Sequence, residues 1–333
     1  EALFDYYATS RIALVDARTG AVARTAARGT ITAVSPSPDG RYLLVDRVHR
    51  PYSYLFPYDR FPTATQVLDL RGARVATVVD RPLADRVPAD GVVTGPRDIA
   101  WKPSSPATLT WTEALDGGDP RTKVPARDRI VTLAAPFAGA PVELAKTAAR
   151  TNQVMWFDRD ERALVTAYDR DTRTRTMLLA DARSAGEQPK TVWSVRDGDV
   201  YNDPGNAVPL FAPNGDLVVA HNGDAIWLRG AGYGPEGRRP FLDRLDVRTG
   251  EKTHLFRSDL APLEQPIYPL DPDAAQILTQ RQSPTDPPNM FVRTRASGAL
   301  RALTPFADPA PQLRAIGRRV VTYKRADGVN LSF

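Results

Sequence analysis

One stretch decides the fold of this chain: residues 33–46 read AVSPSPDGRYLLVD. A short apolar run meets a Ser-Pro-Asp-Gly turn and then returns as a run rich in β-forming residues. Asp-Gly readily adopts the positive backbone angles that a tight turn between antiparallel strands demands. The stretch therefore predicts a β-hairpin. Related hairpins are predicted at residues 99–111, 155–167, 210–220 and 268–279.

A second type of hairpin lies between these copies. Alternating apolar and polar residues are interrupted by a turn that usually contains Gly. Copies start near residues 11, 66, 129, 176, 241 and 290. Two hairpins roughly every 50 to 65 residues indicate the four-stranded antiparallel blades of a β-propeller. We expect an all-β fold with five blades well supported and a sixth partial; the alternative is a β-sandwich or a pair of small β-domains.

The composition excludes several classes of protein. Thirty prolines in 333 residues leave little room for long helices, because a proline in a helix interior costs about 3 kcal/mol. The chain has no cysteine, which excludes disulfides, thiolate zinc sites and cysteine nucleophiles. The 44 basic and 39 acidic residues are interleaved without a basic run, and no stretch reaches the ~18 apolar residues of a membrane span. We therefore expect neither nucleic acid nor membrane as a partner.

The acidic residues form no strong metal or acid–base motif. Asp197, Asp199 and Asp203 superficially resemble a calcium loop, but they lack the Gly at position six and the closing Glu. The acids within residues 158–161 fall on a turn among arginines, where a solvated face is the better interpretation. The sequence predicts no metal and no cofactor.

The tryptophans follow the predicted blades. They are Trp101, Trp111, Trp156 and Trp193, in or beside strands, and Trp227 after the His-Asn-Gly-Asp turn. Their spacing favours core packing; the alternative is a stacking platform for nucleic acid or sugar.

The longer connections carry a resemblance to a known family. Residues 49–62 read HRPYSYLFPYDRFP, residues 113–120 EALDGGDP, residues 199–205 DVYNDPG and residues 323–331 YKRADGVNL. Together they resemble the glutamyl endopeptidase branch of the prolyl oligopeptidase family of serine peptidases, and the resemblance runs from Leu3 to the last residue. The turn at residues 35–45 is similar to the TolB-type blade repeat, which many propellers share.

The resemblance implies a seven-bladed propeller that caps an α/β-hydrolase domain carrying Ser, Asp and His, in an enzyme that cleaves peptide bonds after Glu. It places a propeller, incomplete at its N-terminal end, at residues 1–325. Residues 326–333 begin the crossing into the hydrolase, which we expect to lie outside this chain. The expected partners are that hydrolase domain and peptide substrates. Relatives of this kind imply a bacterial periplasmic or secreted protein, with the cytoplasm as the alternative.

The chain lacks the chemistry of such a hydrolase. A nucleophile elbow needs Gly-x-Ser-x-Gly, and no serine in the sequence is flanked in that way. His49, His221 and His254 lie in three different units of the repeat. We therefore predict no catalytic residue here and no activity for the chain alone, although the parent protein is expected to be a serine endopeptidase. The alternatives are a stand-alone propeller that binds a protein or peptide and, more remotely, a lectin-like propeller.

Substrate-binding residues are predicted in the long connection at residues 49–62. Arg50 and Arg60 offer planar guanidinium forks suited to a carboxylate, and Tyr54 offers an amphipathic wall. If the substrate side chain is Glu, as the resemblance implies, one of these arginines would contact it. The alternative is a rim loop whose tyrosines pack on a neighbouring blade or on the hydrolase.

A second connection, at residues 116–121, is followed by Lys123 and Arg127. Its glycines permit close approach of the backbone, and it is a candidate to face the hydrolase. A plain solvated turn is the alternative.

Overall fold

The structure is a computed structural model, which describes residues 1–158, 160–184, 186–212, 215–317 and 319–332. The fold is all-β, with 49% of residues in strands and 6% in helices. The described strands pair in antiparallel sheets: three of four strands, two of five strands and three two-stranded hairpins. The predicted fold class is confirmed at this level.

The first sheet has five strands in sequence order. A short helix, α1 (Ala2–Ala8), precedes it. The strands are β1 (Ser10–Val15), β2 (Val22–Pro36), β3 (Tyr42–Val48), β4 (Thr63–Asp69) and β5 (Arg74–Arg81). The first half of β2 pairs with β1 and the second half with β3, so one continuous strand serves two hairpins.

The second and third sheets are four-stranded meanders. The second contains β6 (Arg97–Trp101), β7 (Thr108–Ala114), β8 (Asp128–Ala134) and β9 (Val142–Thr147). The third contains β10 (Arg150–Trp156), β11 (Arg162–Asp169), β12 (Thr174–Asp181) and β13 (Lys190–Arg196).

The fourth sheet is less regular. Among the described residues, this region contains nine short strands, of which β14, β17, β18, β21 and β22 form the sheet: β14 (Asn206–Ala207), β15 (Pro209–Phe211), β16 (Leu217–Val219), β17 (His221–Asn222), β18 (Ala225–Gly230), β19 (Tyr233–Gly234), β20 (Gly237–Arg238), β21 (Phe241–Asp246) and β22 (Lys252–Arg257). The main path runs β14, β18, β21, β22, while β15 with β16 and β19 with β20 form separate hairpins. Pro213 and Asn214, in the predicted turn between β15 and β16, lie outside the described residues.

The fifth sheet is again a meander, of β23 (Leu263–Pro269), β24 (Gln276–Gln282), β25 (Asn289–Thr294) and β26 (Leu300–Ala302). A last hairpin pairs β27 (Thr322–Lys324) with β28 (Asn330–Ser332). Short 3-10 turns occur at Tyr58–Arg60, Ala182–Ser184 and Pro311–Ala315. Phe333, the last residue of the predicted crossing, lies outside the described residues.

The chain divides into two compact units. The first contains residues 1–202, 209–226 and 247–250, and the second contains residues 203–208, 227–246 and 251–333. In the first unit, the packed sheets bury strand residues such as Val67, Leu109 and Val165 completely. In the second, Leu242 and Ile277 are fully buried.

All the predicted hairpins occur between consecutive strands. The tryptophan prediction also holds, because Trp101, Trp111, Trp156 and Trp227 are at most 4% exposed. Trp193 is half-buried, with the Arg175 guanidinium 5.4 Å from its ring centre. The sequence had not indicated α1. No helix in the described ranges is long and apolar enough to cross a membrane.

Candidate functional site

Three long connections leave the same end of the first two sheets. In an antiparallel meander, successive connections alternate between the two ends of the sheet. The short turns after β2, β4, β6 and β8 therefore lie at one end, and residues 49–62, 82–96 and 115–127 lie at the other. We call these three segments the loop cluster. Two backbone hydrogen bonds join them: Ala84 N donates to Arg60 O at 2.8 Å, and Val92 N donates to Gly118 O at 3.0 Å.

Residues 49–62 are folded by their own aromatic side chains and by α1. A hydrogen bond of 2.9 Å from His49 N to Pro62 O closes the segment at its base. The Tyr52 ring packs 4.5 Å from the ring of Phe4 and 5.5 Å from that of Phe61. Edge and stacked contacts of this kind stabilise a loop beyond simple burial. Tyr52 therefore packs against α1 and against its own segment.

Arg50 is occupied by carboxylates of its own chain. Its Nε donates to Asp5 Oδ2 at 2.9 Å, its Nη2 also contacts Asp5, and Glu1 lies 3.8 Å away. Tyr52 donates to the other oxygen of Asp5, and the hydrogen bonds from Tyr52 and Arg50 lower the pKa of Asp5. A peptide carboxylate would have to displace Asp5 to reach Arg50.

Arg60 and Tyr54 are more accessible. Arg60 is exposed, its guanidinium lies 5.7 Å from the Phe56 ring centre, and no carboxylate of the described residues pairs with it. The Tyr54 side chain is 91% exposed, and Leu55 beside it is 89% exposed. Of the three predicted substrate-binding residues, these two are the ones that a ligand can reach without breaking an ion pair.

His49, the first residue of this segment, is paired with Asp80 at the end of β5. Its Nε2 lies 2.9 Å from Asp80 Oδ1, and its Nδ1 lies 2.8 Å from the Arg50 carbonyl. Burial lowers the pKa of His49, but the hydrogen bonds to the Arg50 carbonyl and to Asp80 outweigh it and raise the pKa overall.

The other two histidines have different surroundings. Nδ1 of His254 lies 2.6 Å from Asp243, and His221 contacts backbone carbonyls. Within the described ranges no serine hydroxyl is hydrogen-bonded to a histidine, so the described residues assemble no Ser-His pair.

Residues 115–127 are anchored by a buried ionic network. The carboxylates of Asp116 and Asp128 are fully buried. Arg150 bridges them, with nitrogen–oxygen distances of 2.5 Å to each. Arg127 adds a 3.1 Å contact to Asp116, and Arg97 adds a 2.6 Å contact to Asp128.

The network corrects one interpretation of the sequence. A plain solvated turn at residues 116–121 is wrong for Asp116, because its carboxylate is buried and ion-paired. Arg121 remains exposed, paired with Asp119 at 2.8 Å. The reason for the burial lies 34 residues further along the chain, in Arg150, and no local pattern reports it.

The other acidic residues singled out in the sequence do not form a common site. Asp160 pairs with Arg162 at 2.7 Å, while Glu161 contacts Lys102, a buried cation that stands over the Trp156 ring. Asp197, Asp199 and Asp203 do not converge, and the described residues contain no group of three potential ligands that could hold a metal ion. No sequence pattern had indicated that Lys102 is buried.

Comparisons with known proteins point in one direction. No protein-family model matches the chain. The chain is 32% identical over 348 residues to "Probable glutamyl endopeptidase, chloroplastic" of Oryza sativa subsp. japonica, covering 99% of this chain and 37% of that protein. It is 32% identical over 349 residues to the protein of the same name in Arabidopsis thaliana, covering 99% and 36%. The chain thus spans little more than a third of these curated relatives.

Solved structures share the fold at low sequence identity. One is a prolyl endopeptidase (TM-score 0.56, 13% identity, 98% of this chain and 42% of that one). Another is an acylaminoacyl peptidase in complex with Z-Gly-Gly-Phe-chloromethyl ketone (TM-score 0.52, 14% identity, 98% and 46%). The uncomplexed acylaminoacyl peptidase of Pyrococcus horikoshii also matches (TM-score 0.50, 15% identity, 97% and 46%). At these identities the likeness concerns the fold alone.

Proposed function

We propose a function from one premise: this chain resembles, over essentially its whole length, the glutamyl endopeptidase branch of the prolyl oligopeptidase family. On that premise it is the substrate-gating propeller domain of a serine endopeptidase that cleaves after Glu. The observation that carries the proposal is the similarity over 99% of the chain to proteins named glutamyl endopeptidase.

The proposed mechanism divides the work between two domains. The propeller restricts the access of large folded proteins and holds acidic peptides near basic loop residues. Acyl transfer takes place at the serine of an α/β-hydrolase domain, with His as the base and Asp as the group that orients it. Because this sequence contains no nucleophile elbow, the chain supplies gating and binding, and the hydrolase supplies the chemistry.

Two measurements test this function. The reading frame that encodes the chain should contain a domain with Gly-x-Ser-x-Gly. A protein that includes this domain should cleave a Glu-containing chromogenic peptide, whereas the 333-residue chain alone should not. Turnover by the chain alone above a matched blank would contradict the division of labour, and a longer protein inactive on Glu peptides would contradict the substrate class.

Arg60 is the loop residue best suited to contact the substrate. In the protein that carries the hydrolase, Arg60→Ala should raise KM for Glu substrates about tenfold, since a charge-assisted hydrogen bond is lost. KM for a matched Gln substrate should hardly change. Arg71→Ala, in the hairpin turn between β4 and β5, is the control for loss of one exposed charge. An unchanged KM for Glu substrates would remove Arg60 from the binding site.

A stand-alone binding module is the second candidate. Tyr54, Leu55 and Tyr58 are 91%, 89% and 61% exposed, and neighbouring exposed apolar side chains are typical of surfaces that contact another protein. A stop codon directly after Phe333, together with binding of a peptide by the chain, would favour this function over the peptidase.

The proposed compartment is the bacterial periplasm or the exterior of the cell. It is an extension from the family resemblance, and the two plant relatives are named as chloroplastic. Fractionation of cells that express the complete reading frame tests it, and recovery of the protein with cytoplasmic markers would contradict it.

A further inference from the structure

The loop cluster contains a pocket whose charged and apolar lining residues have no role in the proposed function. It lies where β5 ends and residues 82–96 begin, and Gly117 of the third segment closes one side. Its volume is about 240 Å3, which suits one side chain or a small ligand. Much of its wall is apolar, from Leu83, Val87, Val92 and Val93.

One charged group in this wall is Arg81, the last residue of β5. Its Nη2 donates to the Pro96 carbonyl at 2.6 Å, whereas its buried Nε has no hydrogen-bond partner among the described residues. Burial lowers the pKa of Arg81, although Asp46 and Asp98 act in the opposite direction. In the described part of the chain no carboxylate lies within 4 Å of its guanidinium, so Arg81 is a partly desolvated cation without a counter-ion.

Each of the acidic residues near Arg81 forms a hydrogen bond or ion pair with another residue. Asp80 also lines the pocket but pairs with His49. Asp46 accepts a hydrogen bond of 2.6 Å from Thr65, and Asp98 lies 3.5 Å from Arg97. Asp46 and Asp98 therefore act on Arg81 only from a distance, and no described carboxylate forms a direct ion pair with its guanidinium.

A second cation stands at the same pocket. Arg86 is exposed, and no carboxylate of the described residues pairs with it. The contrast with other arginines of this region is direct, because Arg50, Arg127 and Arg150 each hold a carboxylate of their own chain. Two guanidinium groups without a direct ion pair, beside an apolar wall, favour a ligand with a carboxylate and an apolar flank.

We propose that this pocket binds the carboxylate of an acidic peptide, paired with Arg81 and Arg86, while an adjacent apolar side chain packs on Val87 and Val92. The carboxylate comes either from a Glu or Asp side chain or from a free C-terminus. The site rests on the proposed function only in its choice of a peptide as the ligand, and it gives the loop cluster a second acidic subsite besides Arg60.

The test measures binding to the 333-residue chain, without reference to catalysis. The probes are acetyl-Leu-Glu-amide, acetyl-Leu-Gln-amide and acetyl-Leu-Leu with a free C-terminus, titrated by NMR with the amides of Val92 and Gly117 as reporters. We expect the Glu peptide or the free-acid peptide to shift these amides and the Gln amide to bind at least about tenfold more weakly. Which of the two acids binds identifies the source of the carboxylate. Equal binding of all three peptides, or of none, would overturn the proposal.

Variants separate the pocket from general charge. Arg81→Gln and Arg86→Gln should each weaken binding of the acid about tenfold. Arg74→Gln, at the opposite end of the same strand about 23 Å away, should leave it unchanged. Because Arg81 also bonds Pro96, Val93→Phe serves as a second variant that fills the pocket and keeps both charges; it should abolish the shifts. An effect of Arg74→Gln equal to that of Arg86→Gln would show non-specific attraction and overturn the site.

Failure of this site and failure of the proposed function are distinguishable. A chain that binds no acid in this pocket leaves the peptidase proposal intact, since that proposal is tested by turnover of the longer protein. Conversely, an inactive longer protein leaves the binding result standing.

Discussion

At the scale of single residues, the arginines of the loop cluster differ in their partners: some form ion pairs with carboxylates of the chain, and others form none among the described residues. Asp116 and Asp128 are fully buried and share Arg150. A buried charge is tolerated only when it is paired and hydrogen-bonded. If one partner is removed, the other charge stays buried without a counter-ion, and its desolvation free energy is no longer offset. The network therefore holds residues 115–127 in one position.

Arg150→Ala should destabilise the protein by about 3–5 kcal/mol, because it leaves two buried carboxylates short of a counter-charge. Urea unfolding followed by circular dichroism measures this loss. Arg121→Ala removes an exposed pair and should leave the unfolding midpoint where it is. A similar midpoint for the two variants would mean that the buried network does not stabilise the fold.

Acid should weaken the same network. Burial raises the pKa of Asp116, but hydrogen bonds from Arg150 and its neighbours outweigh it and lower the pKa overall. A lowered carboxyl pKa gives a contribution to stability that is present above the unfolded value of about 3.9 and is lost as pH falls through the folded value. Acid unfolding of the first unit should accordingly begin in this range.

His49 titrates in the opposite sense. Its raised pKa means that its contribution to stability is complete below the unfolded value of about 6.5 and is lost as pH rises through the folded pKa. In an NMR titration, Asp80→Asn should lower the His49 pKa, because the facing carboxylate is removed. Asp85→Asn, an exposed acid in residues 82–96, is the control. A His49 pKa at or below 6.5 in the unmodified protein would refute the pairing.

At the scale of elements, the hairpin turns set the register of the sheets. Gly40 and Gly72 both have positive φ angles, +70° and +84°. A Cβ on Gly40 would meet nothing within 4 Å, whereas one on Gly72 would stand 1.6 Å from the Ala26 carbonyl oxygen of β2. The first glycine is needed for its backbone angle alone, and the second also because its turn approaches β2 closely.

Gly40→Ala should therefore cost about 1 kcal/mol, the price of a left-handed alanine. Gly72→Ala should cost clearly more, because β2 must move to accept the methyl group. Thermal unfolding of the two variants side by side decides this. Equal losses would show that the contact with Ala26 relaxes without cost.

The hairpins were predictable from the sequence for a physical reason: each turn signal and its flanking strands lie within about fifteen residues. The pairing of the arginines was not predictable, since Asp5 reaches Arg50 across 45 residues and Asp128 reaches Arg97 across 31. Two clues were nevertheless present. Residues 1–10 contain no Pro or Gly, which permits α1, and the apolar residues between the prolines of residues 82–96 needed a place to pack.

At the scale of the whole molecule, burial is distributed unevenly along the chain. Residues 309–332 contribute no buried side chain among those described, and Ile316 and Val320 are 62% and 76% exposed. By contrast, β25 in the same unit carries the buried Val292 and pairs Arg293 with Glu264. The fold of the second unit therefore depends on β25 far more than on the residues after it.

A chain shortened to residues 1–308 should have a free energy of unfolding within about 1 kcal/mol of that of the 333-residue chain, since little additional apolar surface is exposed to water. A chain shortened to residues 1–288, which lacks β25 and β26, should lose the cooperative unfolding of the second unit. Urea denaturation of both proteins provides the comparison. A large loss of stability in the longer of the two would contradict this distribution.

The two backbone hydrogen bonds between the loops have a consequence for how substitutions combine. Arg60 shares a hydrogen bond with Ala84 of residues 82–96, and Val92 of the same segment shares another with Gly118. Residues that are linked in this way are not energetically independent, so effects of single substitutions in the three segments should not add. A double-mutant cycle between Arg60 and Arg86 would then report a coupling energy, and the specificity of the cluster would belong to the three segments jointly.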